Sequence, residues 1–197
     1  MKKIIFYILG TIFIQDSIAQ NWAKAYDNVD ECICGLSRVT KGDKHGFVSK
    51  DGKLVVPLVY DEALTFSEGI AAVKANGKWG FIDSTGKELT PLLYADAMSF
   101  HDGLAVVSNG NDYGYIDKTG KVVIALQYSN ARSFSEGLAP VMNTKMRWGY
   151  IDTDTKLVIP YQYVMCDLFD GGIARVMVAG GIMYYIDHTG KKIKNIE

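Results

Sequence analysis

The chain has 197 residues, with 21 Lys and Arg against 22 Asp and Glu and a formal net charge of −1 at pH 7. That balance offers none of the basic surface with which a nucleic-acid reader neutralises phosphates, so no nucleic-acid partner is expected. A single domain of this length buries roughly 70% of the surface its unfolded chain exposes, so core formation is not limiting.

The first expected element is a leader. Lys2 and Lys3 precede an apolar run from Ile4 to Ile14, and Ser17-Ile18-Ala19 places small residues at the minus-three and minus-one positions of a cleavage site before Gln20. Residues 1–19 therefore read as a secretory signal peptide. The apolar run falls short of the roughly 20 residues a spanning helix needs, and no cysteine follows the site to accept a lipid, so the chain is not expected to span the membrane. The mature protein, residues 20–197, is expected to be periplasmic or extracellular. It keeps 19 basic and 21 acidic side chains.

From there the chain repeats itself. Trp79-Gly80-Phe81-Ile82-Asp83, Tyr113-Gly114-Tyr115-Ile116-Asp117 and Trp148-Gly149-Tyr150-Ile151-Asp152 are one motif, spaced 34 and then 35 residues apart. A period of that size marks a modular array whose units are too small to bury an apolar face alone. Other columns keep the register: Tyr60, Tyr94, Tyr128 and Tyr163, each followed six residues later by Phe66, Phe100, Phe134 or Phe169. The single extra residue falls between Val141 and Trp148, so Met142 to Arg147 reads as a connector. The units are a partial repeat at 26–39, repeats at 45–73, 79–107, 113–141 and 148–176, and a partial repeat at 183–193. The first partial unit is a back half and the last a front half. An open array is expected, and the alternative is a propeller-like ring of about five units in which these halves pair.

Within a unit the signals are those of short strands. Trp79 to Ile82 is aromatic and β-branched, Asp83-Ser84-Thr85-Gly86 reads as a type I turn, and Lys87 to Thr90 returns antiparallel. Pro57, Pro91 and Pro160 are expected to end the second strand, because proline cannot donate to a ladder. Gly137-Leu138-Ala139-Pro140-Val141 supplies a third strand, and Tyr60 to Phe66 reads as a turn or one helical turn. The fold class is all-β, with about three short antiparallel strands per repeat.

Together the Trp-Gly-Phe-Ile-Asp, Thr-Gly-Lys, Pro, Tyr and Phe-Ser-Glu-Gly-Leu-Ala series resembles the WG-repeat (KWG-type) family of bacterial β-repeat proteins, over about residues 26 to 193. The resemblance implies a binding or scaffold module and carries over no catalytic residue. Departures lie at His45 and Met183 in the tryptophan column, Tyr184 in the glycine column, Ala125 in the proline column and Thr155 in the turn-glycine column.

Candidate chemistry is sparse. The repeated rings are read first as core, and otherwise as a face that stacks on sugars or grips a partner. Asp83, Asp117, Asp152 and Asp187 form one acidic column and Glu68, Asp102 and Glu136 another. Asp at the head of a turn accepts backbone N–H bonds, and Glu before a glycine turn is ordinarily solvated, so turn roles come before calcium ligation or an acid and base pair. His45, His101 and His188 stand in different columns without metal-ligand spacing. His101-Asp102 has no evident nucleophile beside it, and no glycine-rich phosphate loop is present. Cys32, Cys34 and Cys166 break the repeat. They read as idle thiols, as a local or intermolecular pair, or as a bridge from Cys32 or Cys34 to Cys166 that only a closed ring allows.

No catalytic, metal or cofactor residue is assigned, no cofactor is expected, and the binding surface stays unknown. The expected function is that of a secreted, non-enzymatic repeat protein presenting an extended surface to a protein or cell-envelope partner. The alternatives are a glycan-binding module using aromatic side chains and, behind it, a glycosidase-like hydrolase, whose two carboxylates would converge in a cleft about 5 to 9.5 Å apart.

Overall fold

A computed structural model describes residues 21–193. The expected signal peptide, residues 1–19, lies outside the described residues. Among them the chain is all-β, with five antiparallel sheets in succession and one 3-10 turn at Trp22–Ala25. Sheet 2 shows the plan: Glu62–Ala63, Ile70–Ala75, Lys78–Asp83 and Glu88–Tyr94 lie side by side in chain order. Sheet 1 covers residues 28–60, sheet 3 residues 96–128 and sheet 4 residues 130–163, each with four strands, while sheet 5, residues 165–186, has three.

The sheets are offset from the sequence repeat by half a unit. Ile70–Ala75, the end of one repeat, pairs with Lys78–Asp83, the start of the next, from Ile70 opposite Asp83 to Ala75 opposite Lys78. Both terminal half-units are thereby completed by their chain neighbours. Leu36–Lys41 pairs with Lys44–Ser49 at one end, and Ala174–Met177 pairs with Met183–Ile186 at the other. A short hairpin loop closes at far lower entropic cost than a ring joining the ends of the array. Among the described residues no hydrophobic cluster, hydrogen bond or ion pair joins sheet 1 to sheet 5, and the array is open.

Two strand expectations need correction. The segment from Tyr60 to Phe66 is neither a plain turn nor a helical turn. It holds the short strand Glu62–Ala63, because Asp61 and Leu64 donate to the Lys74 and Ala72 carbonyls and extend the ladder. A full sheet therefore has four strands. Pro57, Pro91 and Pro160 do not end the outer strand either; they sit in the middle of Leu54–Tyr60, Glu88–Tyr94 and Leu157–Tyr163. There the register slips, Trp79 facing Tyr94 while Phe81 faces Thr90, so proline occupies an irregularity on an edge strand that needs no donor. The same slip persists around Ala125.

This irregularity explains the glycine of the motif. A Cβ added at Gly46, Gly80, Gly114 or Gly149 would meet the outer-strand backbone at 2.5–2.9 Å. Space, rather than backbone conformation, requires glycine there.

Each core cluster spans one junction between sheets. Trp79, Phe81 and Tyr94 of sheet 2, for example, pack on Ala105, Val107 and Ile116 of sheet 3, with Phe100 between them. The repeated phenylalanines lie edge-on or tilted against the forward face of the preceding sheet: Phe47 with Phe66, Phe81 with Phe100, Tyr115 with Phe134 and Tyr150 with Phe169, at centroid distances of 4.7, 5.3, 4.9 and 5.0 Å. Burying such a ring contributes roughly 1.5–3 kcal/mol, and an aromatic pair about 0.5–1.5 kcal/mol more. At the start of the array Trp22 lies over Gly52, where Val56 lies over the equivalent Gly86, so the 3-10 turn caps the first sheet.

Candidate functional site

The Asp column is engaged in hairpin turns, one in each of sheets 2 to 5. Asp83 Oδ1 accepts the N–H groups of Thr85 and Lys87 at 2.8 and 3.0 Å and the Thr85 hydroxyl at 2.6 Å. Asp117 and Asp187 repeat this geometry, and Asp152 accepts from Asp154 and Lys156. The threonine hydroxyl, followed by the turn N–H groups, holds Asp83, Asp117 and Asp187 below the usual aspartate range. Every one of these carboxylates serves its own turn.

The Glu column is exposed, as expected, but its carboxylates also bond beyond their own turns. Glu68, Asp102 and Glu136 have φ of +53°, +52° and +55°, in two-residue turns whose second residue is glycine. Each carboxylate reaches the next such turn. Gly103 donates to Glu68 at 3.1 Å, Gly137 to Asp102 at 2.9 Å and Gly172 to Glu136 at 3.0 Å. The Ser67 and Ser135 hydroxyls add bonds of 2.6 Å to the Phe100 and Phe169 carbonyls. Burial alone would push Glu68 up, but the Lys118 ammonium at 2.9 Å and the Gly103 N–H outweigh it and hold the carboxyl down. Glu68 and Glu136, standing where Asn or Asp usually precedes the glycine of such a turn, were the available signal of a contact beyond the turn.

The histidines are dispersed. His45 lies 3.2 Å from the Thr40 hydroxyl, and burial, then Arg38, lowers its pKa. His101 is exposed. His188 stacks on Phe169 at 4.4 Å, with Nε2 2.9 Å from a Glu136 oxygen but not aligned for a hydrogen bond. Cys32 and Cys34 are exposed and Cys166 is buried, all three as free thiols, so the bridge across a closed ring is absent. Burial pushes the Cys166 thiol up to about 12. Among the described residues no group of three or more His, Cys, Asp or Glu is placed to hold a metal ion.

Among the described residues one face remains uncovered. The forward faces of sheets 1 to 4 are buried by the following sheet, whereas that of sheet 5 carries Ile173, Arg175, Met183 and Tyr185 in the equivalent columns with no sheet against it. Met183 is 55% exposed and Tyr185 38%. A groove of about 260 Å³ runs along this face, lined by Asp167, Leu168, Asp170, Ile173, Arg175 and Tyr185. Arg175 Nε donates to Asp167 Oδ2 at 2.9 Å, which fixes the guanidinium over the groove's wall. Sequence reasoning did not single these residues out. Their signal was nonetheless in the alignment, where Asp30 and Arg38 occupy the same two columns as Asp167 and Arg175.

Successive sheets of three or four strands, packed aromatic edge to face and stapled turn to turn, define a tandem β-repeat protein. The chain belongs to the WG containing repeat family, which matches residues 46–79, 79–111, 113–145 and 148–181. A search of curated proteins found no match. Among solved structures, the chain is similar to a eukaryotic initiation factor, with a TM-score of 0.56 and 9% identity over 87% of this chain and 55% of that one. It is also similar to the computationally designed Ika8 protein, with a TM-score of 0.54 and 12% identity over 84% of this chain and 60% of that one. The WD40 beta propeller domain of Doa1 gives a TM-score of 0.46 and 15% identity, over 86% and 67%. The first two likenesses speak to the fold alone. No helix among the described residues is long and apolar enough to cross a membrane.

Proposed function

We propose that this is an exported, non-enzymatic repeat protein that binds another protein of the cell envelope through the uncovered face of sheet 5. The observation that carries the reading is the contrast between faces of like build, four of which are buried by a neighbour while the fifth exposes Met183 and Tyr185 beside a groove. An exposed apolar patch rimmed by charges is the usual mark of a protein-binding site. Export rests on Lys2, Lys3, the apolar run from Ile4 to Ile14 and the small residues before Gln20. A catalytic role finds little support, because both acidic columns are engaged in turns or between sheets. The glycan alternative is weakened by burial: the rings of Tyr60, Tyr94, Tyr128, Tyr163 and the repeated phenylalanines are all core.

The test is a crosslinking pull-down with residues 20–197 against the envelope fraction of the source cell, read by mass spectrometry. Specific enrichment of one protein is expected. Retention of carbohydrate with no protein above control would overturn the reading in favour of glycan recognition.

A further inference from the structure

Resting on that reading of the sheet 5 face, we infer that its partner presents a small-residue-x-x-Phe segment, gripped by Tyr185 and Arg175. The template lies inside the chain. At each of the four junctions a forward-face aromatic residue receives the phenylalanine of the next segment, as Tyr150 receives Phe169 at 5.0 Å. That phenylalanine always stands three residues after a small buried one, as in Ala97 and Phe100 or Cys166 and Phe169.

Two donor devices fix the incoming backbone. Where the forward aromatic is tyrosine, its hydroxyl donates to the carbonyl just after the small residue: Tyr115 to Arg132 and Tyr150 to Asp167, both at 2.8 Å. At the first junction Arg38, oriented by Asp30, donates instead to the Ala63 carbonyl. Sheet 5 carries both devices at once. Tyr185 stands in the Tyr115 and Tyr150 column, and Arg175 stands in the Arg38 column, held by Asp167 as Arg38 is held by Asp30. The face therefore continues four existing interfaces and repeats the hydrogen-bond donors found at three of them, with no described segment to accept from them.

A second copy fits poorly as the occupant. The equivalent segment ahead of its first sheet has Cys32 in place of the phenylalanine, and Val39 and Val48 on the corresponding back face are already fully buried. The occupant sought is therefore a partner whose segment keeps the phenylalanine.

The test is fluorescence anisotropy with a labelled synthetic peptide copying residues 94–104, which contains Ala97 and Phe100, titrated with residues 20–197. Saturable binding is expected. Tyr185→Ala, Arg175→Gln and a peptide carrying Phe100→Ala should each weaken it at least tenfold, the two exposed-site variants keeping the wild-type circular dichroism spectrum. No saturable binding, or equal binding to Tyr185→Ala, overturns the proposal. If the peptide fails while an envelope protein is retained by wild type and lost from Tyr185→Ala, the segment class is wrong and the protein-binding reading survives. An envelope protein retained equally by both removes the face itself. A concentration-dependent dimer abolished by Tyr185→Ala would make a second copy the occupant and overturn the proposal.

Discussion

Gly80 and Pro91 meet so closely that a Cβ built on the glycine would stand 2.9 Å from the proline carbonyl oxygen. Gly80→Ala should therefore force the outer strand of sheet 2 off its partner and destabilise the protein by about 1–3 kcal/mol, as overpacking does. Guanidinium denaturation should show a lower midpoint with the slope preserved. An unchanged midpoint would remove this account of the motif's glycine.

Ala125 stands where Pro57, Pro91 and Pro160 stand in the other outer strands, within the same irregularity. Ala125→Pro should be accepted and should stabilise by about 0.4–1 kcal/mol, through a less flexible unfolded chain. A loss of thermal stability would mean that the N–H of Ala125 has a partner its equivalents lack.

Thr155 has φ of +68° in a column whose other members, Gly52, Gly86, Gly120 and Gly190, are glycine at +79° to +85°. A β-branched residue is strained there by roughly 1–2 kcal/mol. Thr155→Gly should raise the melting temperature by a few degrees, part of the relief being offset by the freer unfolded chain. Calorimetry decides it.

Acid should loosen the array. The carboxyls of Asp83, Asp117 and Asp187 lie below their ordinary value of 3.8, and that of Glu68 below 4.5. The unfolded chain takes up these protons first, so the stability they contribute is full above about pH 4.5 and is lost as pH falls through the lower folded values. Denaturation midpoints at pH 6, 4.5 and 3 should fall across the last interval. Asp117→Asn should show a shallower fall, and a variant as steep as wild type would contradict this assignment.

In the reduced native protein a thiol reagent should modify two cysteines, the exposed Cys32 and Cys34. Cys166, buried and with its thiol pushed up to about 12, should react only after unfolding. Rapid loss of all three thiols would place Cys166 at the surface.

The array, its hairpins and the turn role of the Asp column were legible because each is a local pattern with a fixed period. The phase of the sheets was not, since a repeat has the same period wherever its unit is cut, and only the pairing of Ile70 with Asp83 decides it. The prolines misled because strand ends and irregular edge strands satisfy the same chemical requirement, freedom from donating. The bond from Gly103 to Glu68 depends on how neighbouring turns stack, which no single unit encodes. Tyr185 was not legible as a surface residue: its column is buried in every sheet followed by another, and only the stacking order shows that no described sheet follows sheet 5.

The most direct test of the central claim compares residues 20–197 with the double variant Arg175→Gln, Tyr185→Ala in parallel crosslinking pull-downs from the envelope fraction, quantified by mass spectrometry. The account predicts one protein strongly enriched by the wild type and reduced at least tenfold by the variant. The same protein recovered equally by both, or no protein enriched by either, would contradict it.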